Sequence, residues 1–135
     1  MAETLYMRFL NRLIAKTKSG EITWQYLDSN KALCQKMGWK SNEEPDPIGR
    51  IFAGEEIAEF NADNSFYTEV SDTNIVIYEQ KNDPASLYVI PPTFRKILCL
   101  NAEEYGEYIT RLLNVVQRNF PNPDQFIVDF LRGDY

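Results

Sequence analysis

Four β-rich runs, SFYTEV, NIVIYEQ, SLYVI and RKILCL, follow one another between residues 65 and 100 with only short connections. A parallel pair of strands needs a crossover of a dozen or more residues, so connections this short demand antiparallel neighbours. Ser71-Asp72-Thr73 reads as a hairpin turn and KNDPA as a second turn, and Pro91-Pro92 ends the third run. A sheet built this way must bury at least one face, and the flanking sequence supplies the cover.

Residues 3–18 carry an apolar stripe at helical spacing: Leu5, Phe9 and Leu13, widened by Tyr6, Leu10 and Ile14. Gly20 suits a left-handed stop. Ile22, Trp24 and Tyr26 then alternate with polar residues, which is strand periodicity, and Trp24 is expected beneath the first helix. Ser29 or Asn30 caps a short helix over KALCQKM, closed by Gly38. Residues 39–50, with two prolines and three carboxylates, read as a surface loop. Residues 51–60 fit strand and short helix equally.

After the strands, Asn101 and Glu104 have the spacing of a capping box. Tyr105, Tyr108, Ile109, Leu112, Val116 and Phe120 form one face of a long helix, with Glu107 and Arg111 paired on the other side. Asn122, Pro123 and Asp124 suit the start of a last helix, whose Phe126, Ile127, Phe130 and Leu131 are expected to face inward before Arg132 and Gly133 close it. Strands in a run followed by helices in a run indicate the α+β class. The expected architecture is one domain over residues 1–135. An antiparallel sheet of four to five strands is packed on one face by an N-terminal helix and two C-terminal helices.

The chain contains no histidine. That removes the commonest general acid–base group, the usual zinc ligand and every Ser-His or Cys-His nucleophile. No Gly-rich phosphate loop, nucleophile elbow or CxxC is present. The expectation is therefore a non-enzymatic protein with no catalytic residues, no metal and no cofactor. NADNS, residues 61–65, resembles a piece of a calcium loop but lacks the glycine and distal glutamate that such a loop requires. An enzyme that pairs carboxylates around a metal, with Glu55 and Glu56 as its first candidates, ranks last among the readings. Cys34 and Cys99 are expected as reduced thiols, Cys99 as a small buried hydrophobe in a strand.

Charge is unevenly distributed. Residues 1–40 carry seven Lys/Arg against Glu3, Glu21 and Asp28, a net of +4, whereas residues 41–107 carry fourteen Asp/Glu against four bases, a net of −10. The remainder is neutral and the whole chain is −6. An acidic patch speeds docking to a basic protein and selects for it. The leading expectation is thus a small interaction protein, in its narrowest form an acidic inhibitor of the immunity type that covers a basic partner. Its contact residues would be Trp39, Glu43, Glu44, Asp46, Glu55, Glu56 and Glu59, with Trp39 at a loop edge as the aromatic anchor.

A second reading is a regulatory or mobile-element accessory module that contacts nucleic acid through Arg8, Arg12 and Lys16, an i, i+4, i+8 ladder on the first helix. The acid excess works against it. Tyr67, Tyr78 and Tyr88 fall on successive strands; on one face they would be cross-strand packing or, less fittingly without interleaved bases, a stacking platform. No run of eighteen apolar residues spans a membrane, and the N-terminus lacks the continuous apolar core of a signal peptide, so the expected location is cytoplasmic. Monomer and homodimer are both compatible with the sequence.

Overall fold

The computed structural model describes residues 4–42, 59–120 and 123–133. Helix α1 spans Leu5–Lys18, with the Thr4 hydroxyl accepting from the Met7 amide at 3.2 Å as its N-cap. Strand β1, Gln25–Tyr26, leads through a 3-10 turn at Leu27–Ser29 into α2, Lys31–Met37, capped by the Asn30 side chain and stopped by Gly38 at φ 69°. Strands β2 (Lys40–Ser41) and β3 (Glu59–Phe60) form a short parallel pair. Strands β4 (Phe66–Val70), β5 (Thr73–Tyr78), β6 (Ser86–Ile90) and β7 (Leu98–Leu100) follow, then α3 (Ala102–Gln117) and α4 (Pro123–Leu131).

The main sheet has five antiparallel strands in the order β1-β4-β5-β6-β7. This is the α+β class, with the meander predicted from the short connections. Ser71 and Asp72 both adopt positive φ, 50° and 65°, at the β4–β5 turn. Two left-handed residues give the hairpin a twist that matches the twist of its strands. Strand β1 is shorter than the Ile22–Tyr26 alternation suggests. Opposite Thr23 the ladder is replaced by a side-chain bond, the Thr68 hydroxyl donating to the Thr23 carbonyl at 2.8 Å.

The strand period of two divides the sheet into two apolar faces. One face presents Phe66, Ile75, Ile77, Leu87 and Leu100 to α1 and α3. Leu10, Leu13 and Ile14 come from α1, and Ile109, Leu112, Val115 and Val116 from α3. Leu5, in the first turn of α1, lies outside this contact and is exposed. Trp24 is buried beneath α1, and its indole N–H donates to the Thr17 hydroxyl at 3.0 Å. That hydroxyl in turn donates to the Leu13 carbonyl at 2.8 Å, so the buried indole is satisfied within the segment that folds back on itself.

The opposite face presents Tyr67, Val76, Tyr78, Tyr88 and Ile90. Leu33 and Cys34 of α2 cover it together with Leu27, Phe60 and Trp39. The sheet is therefore covered on both faces. The described residues that supply this second cover lie in 27–39 and at Phe60. The short helix over KALCQKM is as the sequence predicts, whereas Trp39, expected in a surface loop, and Phe60, expected in a segment ambiguous between strand and helix, are packed on the sheet. Cys99 also departs from expectation. In β7, Leu98 and Leu100 pack on the α1–α3 side, so the alternation turns Cys99 the other way and leaves it exposed.

Helix α4 differs most from the reading of the sequence. Phe126, Ile127, Phe130 and Leu131 do not face inward; all four are exposed, and so is Val128. The cap expected at Asn122 lies outside the described residues, as does the acidic stretch that contains Glu43, Glu44, Asp46, Glu55 and Glu56.

Candidate functional site

Trp39 follows Gly38 directly, and the left-handed stop of α2 turns it onto the sheet. It is half-buried, with ring centroids 4.6 Å from Tyr78 and 5.2 Å from Tyr88. Tyr78 and Tyr88 meet edge-on at 5.7 Å. Tyr67, Tyr78 and Tyr88 thus share a face, as their spacing allowed, and they serve there as the floor beneath Trp39 and α2. The edge-to-face geometry is that of aromatic packing. Burial raises the Tyr78 phenol above its usual range, with a hydrogen bond from Gln80 pulling the other way. Burial, reinforced by the adjacent Cys99, pushes Tyr88 up to about 12. Both phenols hold their protons at neutral pH and are poorly placed for proton transfer.

Glu59 is engaged in the fold. Its carboxylate lies 3.2 Å from the Nζ of Lys40, whose side chain is buried. An enclosed ammonium needs a counter-charge, and Glu59 supplies it across the β2–β3 pair. NADNS contains a 3-10 turn at Ala62–Asn64 whose two asparagine side chains bond within the chain. The Asn61 side chain accepts from the Asp63 amide, and Asn61 and Asn64 both donate to the Glu79 carboxylate, at 3.2 and 3.0 Å. Among the described residues no group of three or more His, Cys, Asp or Glu comes together.

Arg8 and Arg12 are exposed on α1, while Lys16 is held by Glu21 at 3.2 Å. A groove of about 570 Å³ runs between α1 and the β4–β5 hairpin, with Phe9, Leu13 and Ile75 in its lining. Arg12 and Lys16 reach it from one side, and Glu21 and Glu69 line it too. Two carboxylates beside two bases cancel most of the positive field that a phosphate backbone requires.

The surface that stands out lies on α4. Its residues are exposed by 50% at Phe126, 52% at Ile127, 42% at Val128, 59% at Phe130 and 79% at Leu131. Among the described residues no α4 side chain belongs to either core cluster. These fractions leave apolar surface on the order of a few hundred Å² around one short helix. That is comparable to the largest patch on an ordinary monomer, and such patches mark interaction sites. The Phe126 and Phe130 rings stack one turn apart at 6.1 Å. Asp124 lies in the first turn, and the helical hydrogen-bonding pattern continues to Arg132, whose amide donates to the Val128 carbonyl at 3.1 Å. One signal for this was present in the sequence. FIVDFL has five apolar residues in six, a wider band than the stripe of a half-buried helix.

No helix among the described residues is long and apolar enough to cross a membrane. Compared with family models, with curated proteins and with solved structures, this chain matches none.

Proposed function

We propose that this chain is a non-catalytic protein-interaction module whose apolar anchor is helix α4. The observation that carries this reading is the exposure of five large apolar residues on α4, whereas the other large apolar groups among the described residues are mostly enclosed. An apolar helix held away from the core recurs in recognition, where the face of the helix enters a groove or pairs with another helix. The aromatic and charged candidates on the second sheet face support the reading, since Trp39, Tyr78 and Tyr88 are occupied in packing and Glu59 in pairing with Lys40. The charge of −6 sets which foreign protein is attracted: a basic one, as for an acidic inhibitor of the immunity type.

Photo-crosslinking tests it. A photoreactive phenylalanine replaces Phe130 in one preparation and the exposed Lys81 in a control, and each is irradiated in cells of the source organism. The expected result is a discrete protein adduct at position 130 that is missing at position 81. Equal labelling at both positions, or no protein adduct at 130, would overturn the proposal.

A further inference from the structure

We infer that the groove between α1 and the β4–β5 hairpin takes the C-terminal end of another polypeptide. The incoming chain end adds to the sheet at Glu69, sets its last apolar side chain beneath α1 and places its carboxylate on Arg12. The site is separate from α4 and does not depend on it.

The main-chain part follows from register. Strand β5 pairs with β4 along all of Phe66–Val70, whereas β1 meets β4 only at Phe66 and Tyr67. In an antiparallel ladder, opposite residues exchange both of their main-chain bonds at every second position. Val70 and Thr73 flank the two-residue turn and form such a pair, and so do Thr68 and Ile75. Glu69, between them, therefore directs its N–H and its carbonyl away from β5. The β1 side gives the same phase, since the Leu27 amide donates to the Ser65 carbonyl at 2.9 Å and Glu69 lies four residues on. By register the place opposite Glu69 belongs to Thr23, but the chain has left the ladder there. The Thr23 carbonyl accepts from the Thr68 hydroxyl instead, and among the described residues no backbone bond joins Thr23 to Glu69. Strand β4 thus offers the groove one main-chain donor and one acceptor.

Three features select a C-terminus as the occupant. The first is length. The free edge is bounded by Thr23 at one end and by the Ser71-Asp72 turn at the other. A strand passing through needs a longer edge, whereas a chain end does not. The second is charge. Lys16 is held by Glu21, but the exposed Arg12 has no ion pair among the described residues. A C-terminal carboxylate matches the planar fork of a guanidinium, and an N-terminal ammonium is repelled by it. One carboxylate needs only this one contact, unlike a phosphate backbone. The third is the apolar lining. Phe9, Leu13, Ile22 and Ile75 line a groove of about 570 Å³, and Val70 on its rim is 40% exposed. That volume is in the range of binding sites and suits a large apolar side chain. Strand addition works in this way, with main-chain bonds supplying affinity and a side-chain pocket supplying specificity.

Arrayed random hexapeptides with free C-terminal carboxylates, and the same set as C-terminal amides, test the inference against the full chain. The best ligand is titrated by fluorescence anisotropy up to about 1 mM. The selected peptides should end in a large apolar residue, and the amide form should bind about fivefold more weakly. Arg12→Gln should weaken the carboxylate form by a similar factor and leave the amide form unchanged. Glu69→Pro removes an N–H that no β5 bond uses, so the folded far-UV spectrum should persist while both forms bind about tenfold more weakly. N-methylation of the peptide amide that faces the Glu69 carbonyl should do the same from the ligand's side. Absence of any ligand below about 1 mM would overturn the inference. So would equal binding of carboxylate and amide forms, or binding indifferent to both Glu69→Pro and N-methylation. A peptide lost in Phe130→Asp but kept in Arg12→Gln would sit on α4 and overturn it as well.

Discussion

Helices α3 and α4 follow one another in the chain, and both carry strong apolar patterning, yet their surroundings are opposite. Helix α3 lies beside α1 and buries Ile109, Leu112, Val115 and Val116 against the sheet. Helix α4 leaves Ile127, Val128, Phe130 and Leu131 in solvent. The difference lies in what is left to pack against. α1 and α3 together fill the face formed by Phe66, Ile75, Ile77, Leu87 and Leu100, and α2 with Trp39 and Phe60 fills the other. A helix needs an apolar stripe to be useful in a core, but the stripe does not say which surface receives it. The lesson is that a helix can carry a core-like sequence and still present that sequence outward when both sheet faces are already closed.

The sharpest way to break this comparison is to cut one side chain from each helix. Leu112 is fully buried, so Leu112→Ala should cost the monomer about 2–5 kcal/mol in urea unfolding. A cost below about 1 kcal/mol would mean that α3 is not seated in the core as described.

The second face sharpens the comparison from another side, through a pH dependence. An unfolded tyrosine loses its proton near pH 10, whereas Tyr88 in the fold holds its proton until about 12. Between those values the unfolded state is the more deprotonated, so stability is full below pH 10 and falls as pH rises toward 12. The fall in urea midpoint over that window should be shallower in Tyr88→Phe than in the wild type. Identical slopes would show that Tyr88 is as open to solvent as an α4 side chain.

The smallest effect is expected on α4 itself. Phe130→Asp should change unfolding free energy by less than about 0.5 kcal/mol, as for other exposed positions. A loss as large as that of Leu112→Ala would make α4 part of the core and remove the basis for its role in recognition.

Much of the fold was legible in the sequence because its determinants are local. The alternation in SFYTEV and NIVIYEQ, the Ser71-Asp72 turn, the cap at Asn101 and the Gly38 stop each depend on a few neighbouring residues. Trp24 was legible for the same reason, since its hydrogen-bond partner Thr17 lies seven residues away. The tyrosine stripe followed from strand register. The candidate site was less legible. Trp39 looks like a loop-edge anchor in the sequence, and only the closing of α2 onto β5 and β6 shows it half-buried on Tyr78 and Tyr88. Glu59 looks like one more surface acid until the buried Lys40 is placed beside it.

By itself, then, the sequence determined the class of the fold, the antiparallel meander of the strands between residues 65 and 100, the helix bearing Ile109 and Leu112, and the lack of histidine chemistry. Local periods of 2 and 3.6 residues, turn conformations and residue types carry that information. The tertiary structure alone decided that the sheet closes on both faces, that Cys99 turns outward and that α4 has no place in either core cluster among the described residues. The reason is that burial is settled by competition for a limited apolar surface. Its outcome depends on elements far apart in the chain and not on the pattern of any one of them.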